Sequence, residues 1–194
     1  MKFNYEKAVQ CLNYFARYSK NKEIDKLKAL KLVYLADRYH LRKYGRLITN
    51  DSYFAMEYGP VASSVKDLTQ FNCLSHKEEK YAEKFISPSN KEHHFISRAD
   101  IEKEVFSETD LEALNFVREN YGHLRDLVGL THKFPEWKKH ETRLKSASRV
   151  PMDVYDFLED THNLKEEFVI LSKNESVIRK EQLKEQEEIE QLLD

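Results

Sequence analysis

"YFAMEYGPVASSVKD", Tyr53 to Asp67, runs an apolar, aromatic segment into a Gly59-Pro60 break and then changes its period. Tyr53-Phe54-Ala55-Met56-Glu57-Tyr58 reads as a strand or extended segment. Beyond the break, Val61, Val65, Leu68 and Phe71 recur at helical spacing. Proline at a first helical turn needs no N–H, and it pushes the residue before it out of the α region. Only glycine makes a positive φ cheap at that preceding position. The stretch therefore predicts an extended-to-helix switch, and it concentrates two of the chain's eight glycines and prolines on one corner.

On the N-terminal side, residues 3–19 place Tyr5, Ala8, Val9, Leu12, Phe15 and Ala16 on one helical face. A second helix, expected to be capped by Asn21, carries Ile24, Leu27, Leu30, Tyr34, Leu35 and Leu41 at threes and fours, with Gly45 as its stop. Leu32 and Val33 widen its apolar arc, which marks it as the central helix. On the C-terminal side, residues 84–97 read as a hairpin of two Phe-Ile segments around a polar loop. Ser107-Glu108-Thr109-Asp110 starts a helix through a capping box, and that helix stops at Gly122. Further helical pieces are expected at Leu124–His132, Met152–Glu159 and Leu164–Leu171, and the charged tail from Ser172 reads as an exposed helix, frayed or docked. The expected fold is mainly α within the α+β class. One small β element holds Tyr53–Tyr58 and the Phe85/Phe95 hairpin, and the chain divides into a domain at 1–150 and a helical extension at 151–194.

Four Gly and four Pro among 194 residues favour long helices, and 34% charge favours a soluble globular protein. No apolar run reaches the roughly 18 residues of a membrane span, and the N-terminus lacks the apolar region of a signal peptide. Cys11 and Cys73 in apolar contexts fit a reducing cytoplasm. Charge is uneven: residues 1–50 hold twelve Lys/Arg against four Asp/Glu, a balance of +8, so a net −2 leaves −10 for residues 51–194. Such asymmetry means either a basic surface for an acidic partner or nucleic acid, or two halves that pack together and cancel.

Motifs for chemistry are sparse. The eight histidines (40, 76, 93, 94, 123, 132, 140 and 162) make no HExxH or Cys-paired spacing, and no phosphate-loop or nucleophile-elbow motif occurs. A metal-dependent hydrolase would have to bring His93, His94 and His132 together. Arg38, Arg42, Lys43 and Arg46, interleaved with Tyr39 and Tyr44, suit a phosphate backbone, but they equally complement a helix C-terminus. These readings expect no cofactor and no bound metal.

The stretch from Lys31 onward, "KLVYLADRYHLRKYGRLITNDSYFAMEYGPVASSVKDL", resembles the Panacea domain, also called the SocA-like antitoxin domain, of bacterial and phage toxin–antitoxin loci. Lys31, Leu32, Tyr34, Ala36 and Asp37 match the family's first block. His40, Gly45, Ile48, Thr49, Asp51, Tyr53, Ala55, Gly59, Pro60, Val61 and Ser64 match the rest. The Ser107–Asp110 helix start, His132, Pro135 and Trp137 resemble its second half, so the likeness covers about residues 5–140. Leu47 departs from a proline common before the Ile-Thr pair.

The resemblance implies a cytoplasmic, non-enzymatic antitoxin that binds and silences a cognate protein toxin, with one branch of the family handing its partner to a protease. Nothing in it implies a membrane. The alternative is a DNA-binding autoregulator acting through the basic N-terminal half. Expected partner contacts are Arg38, Arg42, Arg46, Tyr53 and Tyr58, meeting where the second helix ends beside the Gly59 corner. Asp37, His40, Gly45, Gly59, Pro60 and Trp137 are expected to hold the motif together, Asp37 as a paired, half-buried carboxylate or else a direct partner contact.

Overall fold

The computed structural model describes residues 2–71, 75–161 and 169–193; Cys73, His162 and most of the expected Leu164–Leu171 helix lie outside them. Helix α1, Tyr5–Arg17, is capped by Asn4, whose side chain accepts from Lys7 N at 3.1 Å. Helix α2, Lys26–Tyr44, is the central helix expected from its wide apolar arc, buried along most of Ala29–Arg42. Its cap is Asp25 rather than Asn21. Asn21 instead takes a left-handed turn (φ 59°), and β1, Glu23–Asp25, intervenes before the helix. Gly45 ends α2 at φ 82°, as the sequence predicts, donating its N–H to the Leu41 carbonyl at 2.8 Å.

The chain is mainly helical, but its β structure forms two antiparallel sheets where one element was expected. In the first, β5 (His94–Ser97) lies between β1 and β4 (Ile86–Pro88), pairing Ile24 with Phe95 and Ser87 with Ile96. Phe85 belongs to the helix that precedes this hairpin. In the second, β2 (Tyr53–Met56) lies between β3 (Gly59–Ala62) and β6 (Arg149–Pro151).

The Gly59-Pro60 corner is therefore a hairpin, and the direct switch into helix is corrected. Glu57 and Tyr58 form the turn, and Gly59 at φ 98° closes it, the left-handed position that a hairpin of this kind reserves for glycine. Pro60 sits in an edge strand, where its missing N–H leaves no central ladder bond unmade. Only at Ser63 does α3, Ser63–Gln70, begin.

Four helices follow. Helix α4 is His76–Phe85, and α5, Glu108–Tyr121, starts on the expected Ser107/Asp110 capping box. Two short ones, α6 (Leu127–Thr131) and α7 (Pro135–Lys138), come next. Tyr34 on α2 packs edge-on to Tyr53 and Phe157 at centroid distances of 5.8 and 5.5 Å. Aromatic pairs of this geometry add about 0.5–1.5 kcal/mol each beyond area burial.

The charged tail forms α8, Lys173–Leu193, and it docks on the chain's own fold. Leu183 is fully buried, and Arg179 donates to the carbonyls of Arg42 and Lys43, two acceptors the last turn of α2 leaves open. The Gln182 side chain reaches over Gly45, whose φ is what requires the glycine. The two charge halves also cancel as one of the sequence readings expected. Lys7 and Arg46 meet Asp110, Arg17 meets Asp100, Arg38 meets Glu136, Arg42 meets Asp160 and Lys43 meets Glu112.

Candidate interaction site at the hairpin corner

Two buried carboxylates fix the corner. Asp37 on α2 accepts from Ile48 N at 2.6 Å, Thr49 N at 3.0 Å, the Thr49 hydroxyl and the Tyr53 hydroxyl at 2.7 Å. Burial pushes its pKa up, while those four donors pull against the shift. Asp51 accepts from Ser64 N at 3.1 Å and Val65 N at 2.8 Å, supplying from a distance the cap that Ala62 cannot give α3. Lys31, fully buried, donates to the Pro60 carbonyl at 2.7 Å, and burial lowers its pKa to about 7. The hairpin is thus bound to α2 at both of its ends.

His40 is locked in the same way. Nδ1 sits 2.8 Å from the Arg46 carbonyl and Nε2 3.0 Å from the Thr109 hydroxyl. A neutral ring satisfies both contacts, donating from Nδ1 and accepting at Nε2. Burial lowers its pKa from 6.5 to about 4. Because the folded value is the depressed one, the unfolded chain binds the extra proton between pH 6.5 and 4, so stability is full above 6.5 and falls as the pH drops toward 4. The expected loss is on the order of 3 kcal/mol. In urea titrations, His40→Gln should show a pH slope shallower by about one proton across that window, and an unchanged slope would remove the imidazole from this account.

The expected contact residues do not form one surface. Arg38 is buried, with Nε 2.6 Å from Glu136 and its guanidinium over the Phe134 ring. Arg42 is buried too, bound to the carbonyls of Phe157 (2.9 Å), Glu159 (3.0 Å) and Val169 (2.7 Å) and to the Asp160 carboxylate. Tyr53 faces the core through Asp37, and Arg46 bridges Ser107 and Asp110 on the α5 flank. The polar end of α2 is spent on the chain's own fold: Arg38 on Glu136, Lys43, Tyr44 and Arg46 on α5, and Arg42 on the segments after residue 150. That is the physical reason the basic and aromatic groups do not meet outside.

Tyr58 alone of the five is openly displayed, 58% exposed at the hairpin tip. Behind it lies a groove of about 630 Å³, lined by Leu27, Leu30, Met56, Val61, Trp137 and Leu144. Trp137 is held in that wall by its indole N–H, which donates to the Met56 carbonyl at 2.9 Å, and by His132, stacked on it at 3.6 Å. Glu57, Lys66, Glu141 and Lys145 supply its charges. Leu27, 36% exposed, is the residue sequence reasoning missed. It lies on the same helical stripe as Leu30 and Tyr34, so periodicity could not separate a groove residue from a core residue.

His93 and His94 belong to the β5 hairpin and His132 to the Trp137 wall, and among the described residues no three of His, Cys, Asp or Glu gather as metal ligands. No helix among them is long and apolar enough to cross a membrane. Compared with known proteins, residues 30–138 match the family model described as "Antitoxin SocA-like, Panacea domain". No curated protein and no solved structure matches.

Proposed function

The chain belongs to the SocA-like Panacea family of antitoxin-like domains, and from that premise we propose that it is the antitoxin of a toxin–antitoxin pair, binding its cognate protein toxin directly in the cytoplasm. The observation that carries the reading is the groove beside the hairpin. It pairs an exposed tyrosine with an apolar floor on a corner pinned to α2 by Asp37 and Lys31 and to α3 by Asp51. Tyrosine and its apolar neighbours bury much area with few rotatable bonds, and a pre-organised surface loses less entropy when it binds. The role asks for recognition and needs no catalysis. Transfer of the bound toxin to a protease is compatible with it. The autoregulator reading draws little support, because half of the N-terminal cations are committed to internal carboxylates.

The test is co-expression with the toxin-like gene encoded beside it. Tyr58→Ala and Leu27→Asp should keep the wild-type melting temperature within a few degrees and lose rescue from toxicity. Rescue that survives both folded variants would move recognition away from the groove.

A further inference from the structure

Of the six N-terminal cations left out of the internal ion pairs, four lie close together in the chain. Lys20, Lys22, Lys26 and Lys28 flank β1 in the chain. Lys20 and Lys28 border a second cavity of about 640 Å³, joined there by Lys91 and Arg118. Among the described residues, the ammonium groups of Lys20, Lys28 and Lys91 have no hydrogen-bond or ion-pair partner.

Arg118 is already paired with Glu119 at 2.9 Å, and two further carboxylates line the cavity, both of them engaged. Glu23 accepts from the Ser89 hydroxyl, and Asp25 caps α2 through Lys28 N at 2.9 Å. Phe15, Ile24 and Leu32 lie beneath it, almost wholly buried, so polar and charged groups dominate the surface it presents. On the rim stands Tyr18, 53% exposed, its ring 4.5 Å from the Arg118 guanidinium.

The backbone around the cavity is strained. Asn21, Lys22 and His93 hold φ of 59°, 56° and 57°, and these turns are tied together where Lys26 N donates to the His93 carbonyl at 2.8 Å. Non-glycine residues persist in the left-handed region only where their surroundings enforce it, and they concentrate at ligand clamps.

We propose that this cavity binds a nucleoside phosphate, its phosphates among Lys20, Lys28 and Lys91 and its base against Tyr18. The volume lies within the range of small-ligand sites, and the unpaired lysines on its border suit an anionic ligand. Lysine binds phosphate as a point charge, and an exposed tyrosine ring stacks a base of any sequence. The nucleotide has two sources, a free molecule or a unit of a single strand, and the experiment separates them. This site is independent of the toxin-binding groove.

The full chain is titrated calorimetrically at low salt with ADP, with inorganic pyrophosphate and with a single-stranded ten-residue oligothymidylate. ADP is expected to bind at least fivefold more tightly than pyrophosphate, because only ADP offers a base to Tyr18. The double variant Lys20→Glu/Lys28→Glu, folded with an unchanged melting temperature, should weaken ADP at least tenfold, and Tyr18→Ser about fivefold. Lys184→Glu on α8 serves as the charge control and should leave binding unaltered. An oligonucleotide that bound more tightly than ADP, with steep salt dependence and the same losses in the variants, would assign the strand as the source. No binding of either nucleotide probe at millimolar concentration, or pyrophosphate bound as tightly as ADP, would overturn the proposal. So would equal weakening by the Lys184 control.

Discussion

Replacing Asp37 with Ala is expected to cost on the order of 5 kcal/mol, a large part of the stability of a domain this size. The carboxylate is fully buried and accepts four hydrogen bonds from the segment that carries the chain from α2 to β2. Truncation strands all four donors. Each buried donor without an acceptor costs about 1–3 kcal/mol, reduced where the site collapses or admits water. Asp37→Asn should lose roughly half as much. Its carbonyl oxygen still serves the two backbone N–H groups, and the Thr49 and Tyr53 hydroxyls can turn to accept from its amide. Tyr53→Phe, which removes a single donor, should cost about 1 kcal/mol. Urea denaturation of the three variants gives the order directly. An Asp37→Ala protein within 1 kcal/mol of the wild type would show that the corner is held by packing alone.

Much of this was legible in the sequence. The α2 periodicity, the Gly45 stop and the Ser107–Asp110 box each rest on a local rule acting within a few residues, and each appears in the structure; Asp37, expected half-buried, is fully buried and paired with groups 11 to 16 residues away. Failures came where a partner lies far along the chain. Arg42 looks like a helix-end cation until segments more than a hundred residues away wrap its guanidinium. Gly59-Pro60 looks like a helix start because Pro fits both a first helical turn and an edge strand, and strand pairing decided between them. Tyr53 and Tyr58, alike in composition, part company because Tyr53 lies in β2 facing Asp37 while Tyr58 lies in the turn at the hairpin tip. The tail's spacing was too irregular to announce a partner, yet Leu183 and Arg179 suffice to dock it.

Gly59→Val should destabilise the domain by roughly 2–6 kcal/mol before it touches recognition. Two costs add. At φ 98° any Cβ is strained, and a β-branched one more so, for about 1–3 kcal/mol. The added carbon would also lie 2.6 Å from the Thr131 hydroxyl oxygen and 3.1 Å from Lys31 Nζ. Neither neighbour yields easily: Lys31 is held by the Pro60 carbonyl, and Thr131 is fully buried in α6. Forcing such a contact costs about 1–3 kcal/mol more. A double-mutant cycle separates the two. Gly59→Ala introduced into a Thr131→Ala background should recover about 1–2 kcal/mol of its penalty, because the clash is relieved while the backbone strain remains. If Gly59→Val instead melts with the wild type and only rescue from toxicity is lost, the glycine is a partner contact, and the hairpin owes its shape to the Asp37 and Asp51 bonds without it.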